Sequence, residues 1–248
     1  MIFGVHQWNG MLSKKKQLAV LLLLGLSIAG YLFVFFGAQR MEPYTLQEGT
    51  CIFDNLPVTC LDSSVIWREG ISFFDSLLVE ERDTLEALRE LLFEKWNLKF
   101  HKDSAAALSS IFPLEVLSSK TAGCMGVSWL ALMVAERYDF SLEVIMLPNH
   151  VFLRYKGINF EPNRGGFSYS NKEYAEKYKD GVWTGLEWKP LSKKEFMGLS
   201  AFNKGNAFMK KDPQRALTWY KLADVLFPDY PGISANQKWV LKNLDAVQ

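Results

Sequence analysis

Residues 120–166 read KTAGCMGVSWLALMVAERYDFSLEVIMLPNHVFLRYKGINFEPNRGG, and the apolar period changes within them. Gly123 and Gly126 bracket a turn into an apolar helix that runs to about Tyr138. Beyond it, Leu142–Leu147 reads as a strand, Pro148-Asn149 interrupts it, and Val151–Tyr155 is a second strand. Lys156-Gly157 is a two-residue hairpin turn into a third strand, Ile158–Glu161. A glycine-rich loop, Asn163–Gly166, follows, and helix returns over Asn171–Lys179. Upstream, Leu77, Leu78, Leu85, Leu88, Leu91 and Leu92 predict a helix over Ser72–Trp96. A second helix is expected over Ser104–Ile111, ended or bent by Pro113, with a short apolar piece at Leu114–Leu117. Helices first and an antiparallel sheet after them indicate the α+β class.

The chain has 248 residues, 49% of them hydrophobic, enough to bury a core without disulfide staples. A net charge of +1, with no basic stripe, argues against nucleic acid as a partner. Aromatics make up 14% of the chain and are spread through its second half, which reads as core packing.

Leu18–Gly37, LAVLLLLGLSIAGYLFVFFG, carries no charge. A helix of about 20 residues rises roughly 30 Å, the thickness of a bilayer's hydrocarbon core. Lys14, Lys15 and Lys16 precede the run, so the positive-inside rule predicts a single-pass anchor with a cytoplasmic N-terminus. The main domain is then expected on the periplasmic or other extracytoplasmic side of an inner membrane. A cleaved signal peptide would have a shorter apolar region, about 7–15 residues, ending in small residues. This run ends in Phe-Val-Phe-Phe-Gly-Ala-Gln-Arg instead.

Of the three cysteines, Cys51 and Cys60 bound the stretch CIFDNLPVTC. That stretch reads as extended, with a turn near Asp54-Asn55, because Pro57 argues against a helix. In an oxidising compartment the two can close a disulfide loop, leaving Cys124 as the free thiol. At a helix start, Cys124 meets unpaired backbone N–H groups and the positive end of the helix dipole. Both favour the thiolate, and the same N–H groups can hold an oxyanion.

A cysteine nucleophile needs a base, and the chain has three histidines. His6 precedes the membrane run and His101 sits in the polar stretch KFHKD, whereas His150 opens a strand next to Pro-Asn. Counting outward from Lys156-Gly157 pairs Tyr155 with Ile158, Phe152 with Glu161 and His150 with Asn163. Glu161 and Asn163 therefore share a face with His150, and either can orient the ring. No cysteine or histidine pair shows the close spacing of a structural zinc site, so no metal or other cofactor is expected.

GCMGVSWLALMVAERY, LPNHVFLRY and INFEPNRGG together resemble the transglutaminase-like superfamily, over roughly Phe73–Tyr178. The resemblance implies a papain-like fold with Cys124 as nucleophile, His150 as base and Glu161 as orienting acid. Most members carry aspartate where this chain has Glu161, which keeps Asn163 as the alternative. The activity implied is attack on an amide or ester carbonyl through a cysteine thioester, by a peptidase or an acyl transferase acting on a protein or peptide. The competing reading is a catalytically inactive scaffold that binds peptides or envelope proteins.

From about Ser192 onward the chain resembles a tetratricopeptide repeat. Ala216, Tyr220, Ala223 and Pro228 take the small, aromatic, small and proline positions of that roughly 34-residue pattern. Gly205 fits the first helix, and Ile233–Leu244 reads as one more helix. A single repeat with a cap is too short for a peptide groove, which favours docking on the preceding domain over a separate partner-binding module. The expected organisation is a cytoplasmic N-terminus (1–17), an anchor (18–37), a linker with the cysteine loop (38–70), the transglutaminase-like domain (71–191) and the tetratricopeptide-like helices (192–248).

Overall fold

The structure, a computed structural model, describes residues 45–102 and 107–245. The expected anchor at 18–37 lies outside these residues. Among them, no helix is long and apolar enough to cross a membrane.

The first described helix, α1 (Leu46–Phe53), takes in Cys51–Phe53, the start of the stretch read as extended. Its start is a reciprocal cap: Thr45 accepts from the Glu48 N–H, and the Glu48 carboxylate accepts from the Thr45 N–H. Pro57 lies beyond the helix end, so it does not oppose the helix. Cys51 on α1 is disulfide-bonded to Cys60.

The helix expected over Ser72–Trp96 is two helices, α2 (Val65–Val79) and α3 (Thr84–Arg89). They break where Glu81 adopts φ 58° and the Asp83 carboxylate caps the N–H groups of Leu85 and Glu86. A six-residue π-helical turn, Glu90–Lys95, prolongs α3. A 3₁₀ turn at Leu108–Ser110 is the described part of the next expected helix. Pro113 starts rather than ends a helix: it opens α4 (Pro113–Ser119), where its missing N–H leaves no partner unsatisfied. Strands β1 (Lys99–Phe100) and β2 (Thr121–Ala122) pair in parallel just ahead of α5 (Cys124–Arg137).

The sheet is antiparallel, in the order β5-β4-β3-β6. Its strands are β3 (Glu143–Leu147), β4 (His150–Tyr155), β5 (Ile158–Phe160) and β6 (Pro190–Leu191). Tyr155 faces Ile158 across a turn in which Lys156 (φ 47°) and Gly157 (φ 82°) both take positive φ, as a two-residue hairpin requires. Pro148-Asn149 is also a hairpin turn, since Leu147 faces His150 and Asn149 sits at φ 56°. The fold thus mixes helices with a small sheet. Helix α6 (Asn171–Lys177) covers one face of that sheet through Tyr174, which stacks on Phe152 at 4.1 Å.

Three further helices follow: α7 (Lys193–Phe208), α8 (Pro213–Leu226) and α9 (Pro231–Asp245). A Cβ at Gly205 would come within 2.5 Å of the Tyr220 ring, so glycine is what lets α7 and α8 close on one another. Trp129 of α5 is the hub of the core. It meets Phe53, Phe112 and Phe196 with ring centroids 5.4–5.6 Å away, joining α1, the start of α4 and α7.

Beside that hub Lys204 of α7 is buried, at 6% exposure. Its ammonium donates to the Phe53 carbonyl and to Asp54 Oδ1 (3.1 Å), and lies 4.5 Å from the Trp219 ring centroid. Burial pushes its pKa down and Asp54 opposes that shift. Removing either partner leaves the other without its counter-charge, and removing Lys204 also leaves the Phe53 carbonyl without its donor. Asp54→Ala and Lys204→Met are each expected to lower the unfolding free energy by about 3 kcal/mol, and replacing both with apolar residues to recover part of that loss. Urea unfolding followed by tryptophan fluorescence checks this; single variants as stable as the unaltered protein would contradict it.

Candidate active site

Each member of the candidate site owes its position to a local rule. Cys124 is the first residue of α5, with Gly123 as its N-cap. The Gly123 N–H donates to the Ser110 carbonyl at 2.8 Å, pinning the helix start. Gly126 lies inside the first turn rather than before it. A Cβ there would come within 2.4 Å of the Ser110 carbonyl oxygen, so only glycine permits that approach. His150 is the first residue of β4, placed by the Pro148-Asn149 turn. Glu161 follows β5 and caps a 3₁₀ turn, Pro162–Arg164, by accepting the Asn163 N–H at 3.0 Å.

The fold brings Cys124, His150 and Glu161 into one line. His150 Nε2 donates to Glu161 Oε2 at 2.9 Å, with the two side chains 3% and 1% exposed. That leaves Nδ1 on the side of Cys124, whose thiol is influenced by the His150 ring and by the Val151 N–H. Asn163 makes no such contact with the ring; it lines the cleft beside it and supports Glu161 through its backbone. Glu161 is therefore the carboxylate that reaches the imidazole.

Two tyrosines complete the surroundings. Tyr174 Oη donates to Glu161 Oε2 at 2.9 Å. Tyr178 stacks face to face on the His150 ring, with centroids 5.1 Å apart and planes 7° from parallel. Neither was picked out from the sequence. Their signal was the i, i+4 spacing in KEYAEKY, which puts both on one face of α6.

Electrostatics follow the geometry. Burial disfavours the Cys124 thiolate, but the His150 charge, the hydrogen bond to its ring and the Val151 N–H together hold the thiol below its usual pKa. Burial likewise opposes the His150 cation; Cys124 and Glu161 overcome that and push its pKa up to about 9. For Glu161 burial is again outweighed, here by His150, the Asn163 N–H and the Tyr174 hydroxyl, so it stays ionised. The site is thus arranged so that a Cys124 thiolate and a His150 imidazolium favour one another beside the Glu161 carboxylate. The first N–H groups of α5 point from the same helix end, where they can receive an oxyanion. Among the described residues, no cluster of three His, Cys, Asp or Glu could hold a metal.

The cleft that opens on Cys124 has a volume of about 390 Å³. One wall comes from the sheet side, with Asn149, Val151 and Asn163; the other comes from α7 and the α8–α9 turn, with Leu199, Phe202 and Tyr230. That second side has no signal in the sequence, because nothing in the local pattern of α7 says what it faces.

The family model for the transglutaminase-like superfamily matches residues 74–224, which takes in the whole site and runs through α7 into α8. Neither the curated proteins nor the solved structures gave a match.

The pKa directions set a pH test. A lowered Cys124 pKa raises the thiolate fraction at any given acidic pH above that of an ordinary thiol, so iodoacetamide is expected to label it fast at mildly acidic pH in full-length protein. His150→Ala removes the stabilising cation and should slow that labelling roughly 10- to 100-fold, because the thiolate fraction falls. A rate with ordinary thiol pH dependence, unmoved by His150→Ala, would contradict the charge pair.

Proposed function

This chain belongs to the transglutaminase-like superfamily, and from that premise we propose that it is a papain-like thiol enzyme acting on an amide or ester carbonyl of a protein or peptide. The observation that carries the reading is the buried Glu161–His150 hydrogen bond, aligned with the only free cysteine among the described residues.

The thiolate of Cys124 attacks the carbonyl carbon, and the oxyanion forms against the N–H groups at the start of α5. His150 gives its proton to the departing nitrogen or oxygen, whose bond to carbon breaks, leaving a thioester. Neutral His150 then takes a proton from the incoming acceptor, which attacks the thioester and releases the sulfur as thiolate. Water as acceptor makes the reaction hydrolysis; an amine makes it acyl transfer. Glu161 holds the ring with Nδ1 toward the sulfur and balances the imidazolium.

We propose the setting as well. The run at 18–37 anchors the chain in an inner membrane, with the thiol domain on the extracytoplasmic side. The Cys51–Cys60 disulfide supports an oxidising compartment. Helices α7 and α8 are read as tetratricopeptide-like, and the close Gly205–Tyr220 packing supports that reading. They also offer a surface for a protein partner.

A panel of peptide esters and amides, followed by intact mass, tests the activity. An acyl adduct on Cys124 is expected, lost in Cys124→Ala and formed about 10²- to 10⁴-fold more slowly in His150→Ala. No adduct from any member, with ordinary thiol reactivity at Cys124, would favour an inactive peptide-binding scaffold instead.

A further inference from the structure

The part of the cleft lining that comes from the C-terminal helices is a built surface. Phe202 packs edge-on against Tyr230, with centroids 5.1 Å apart and planes at 78°, and Tyr230 in turn stacks on Phe227 at 5.5 Å. One helical turn along, Asn206 Oδ1 accepts from Tyr220 Oη at 2.8 Å and from Asn236 Nδ2 at 2.7 Å. Leu199, the remaining member, belongs to the main core and is 7% exposed. These side chains are locked by neighbours on α7, α8 and α9, so the wall exists before any ligand arrives.

Charge adds a second constraint. Among the described residues no carboxylate lines the cleft, and its two cationic side chains are His150 and Lys102. A positively charged group drawn into it would give up water and meet no lining carboxylate among the described residues, the Cys124 sulfur there being already engaged by His150. An apolar side chain loses nothing there and gains contact with Leu199, Phe202 and Tyr230.

We infer that this wall is the specificity surface of the site and selects peptide acyl donors with an apolar, uncharged side chain, rejecting cationic ones. The inference rests on the thiol-enzyme reading and names the substrate class for it. It also gives the C-terminal helices a task within the site, apart from any partner they bind: they set which acyl group reaches Cys124.

The test uses dipeptide chloromethyl ketones that differ in the side chain next to the ketone, leucine or lysine, and reads the second-order rate of Cys124 alkylation on full-length protein. The leucine probe is expected to react at least about tenfold faster than the lysine probe, the discrimination that one apolar pocket typically supplies. Phe202→Ala should shrink that ratio. Asn206→Asp keeps the acceptor oxygen for Tyr220 and Asn236 while adding a charge to the wall, and should speed the lysine probe severalfold. Iodoacetamide, too small to touch the wall, reads the intrinsic reactivity of Cys124 in each variant, and every dipeptide rate is divided by it. That control separates the two readings: normal iodoacetamide labelling with equal dipeptide rates overturns the specificity wall alone, whereas loss of the acid-stable labelling in unaltered protein overturns the thiolate itself. A lysine probe that matches or outruns leucine in the unaltered protein, or an Asn206→Asp variant that folds and leaves the ratio unmoved, also overturns the wall.

Discussion

A histidine shut away from water gives up its proton unless negative charge is shut in with it, and Cys124 and Glu161 supply that charge for His150. The His150 and Glu161 side chains are almost wholly buried, so their attraction is screened far less than a surface pair's. Such an arrangement is stable only if the carboxylate is itself fully satisfied. Glu161 is: the imidazole, the Tyr174 hydroxyl and the Asn163 N–H all donate to it. The hairpin, the turn after β5 and helix α6 each deliver one of those donors. Much of the sheet's geometry can be understood as what it takes to bury this one carboxylate beside this one ring.

From there the constraint passes outward. A held imidazolium can stabilise a thiolate, but the thiolate must come from a helix start set at the right height. The Ser110 carbonyl and the absence of a side chain at Gly126 set that height. Behind Cys124, the buried face of α5 carries Trp129, where α1 and α7 converge. Lys204 ties α7 to the disulfide-bonded loop at Phe53 and Asp54. The C-terminal helices are therefore fastened to the core that holds the nucleophile, which is why they can supply a wall to its cleft.

The parts of this arrangement that were legible in the sequence are those fixed by short-range chemistry. Lys156-Gly157 admits a two-residue turn, and that turn sets the register, with Tyr155 opposite Ile158 and Glu161 on the histidine's face. The pairing of Cys51 with Cys60, and Cys124 at a helix start, were legible for the same reason. Other differences come from local signals that override the broader pattern. The Thr45–Glu48 cap made a helix of a stretch judged by Pro57, and Asp83 divided what leucine spacing joined. What the sequence could not disclose is long-range. The two residues of β6 carry no periodicity, and the aromatic wall of the cleft arises from three helices meeting. Tyr178 shows helical spacing, but not that its ring will cover His150.

The protonation state of His150 in the resting protein is the most direct measure of whether this buried charge system exists. Nitrogen-15 NMR of histidine-labelled protein can read it, since the chain has three histidines and His150→Gln assigns the signal. The account predicts an imidazolium at neutral pH that titrates near 9 and drops sharply when Cys124 is replaced by serine. A neutral ring at pH 7, titrating at or below the ordinary histidine value and indifferent to Cys124→Ser, would contradict it.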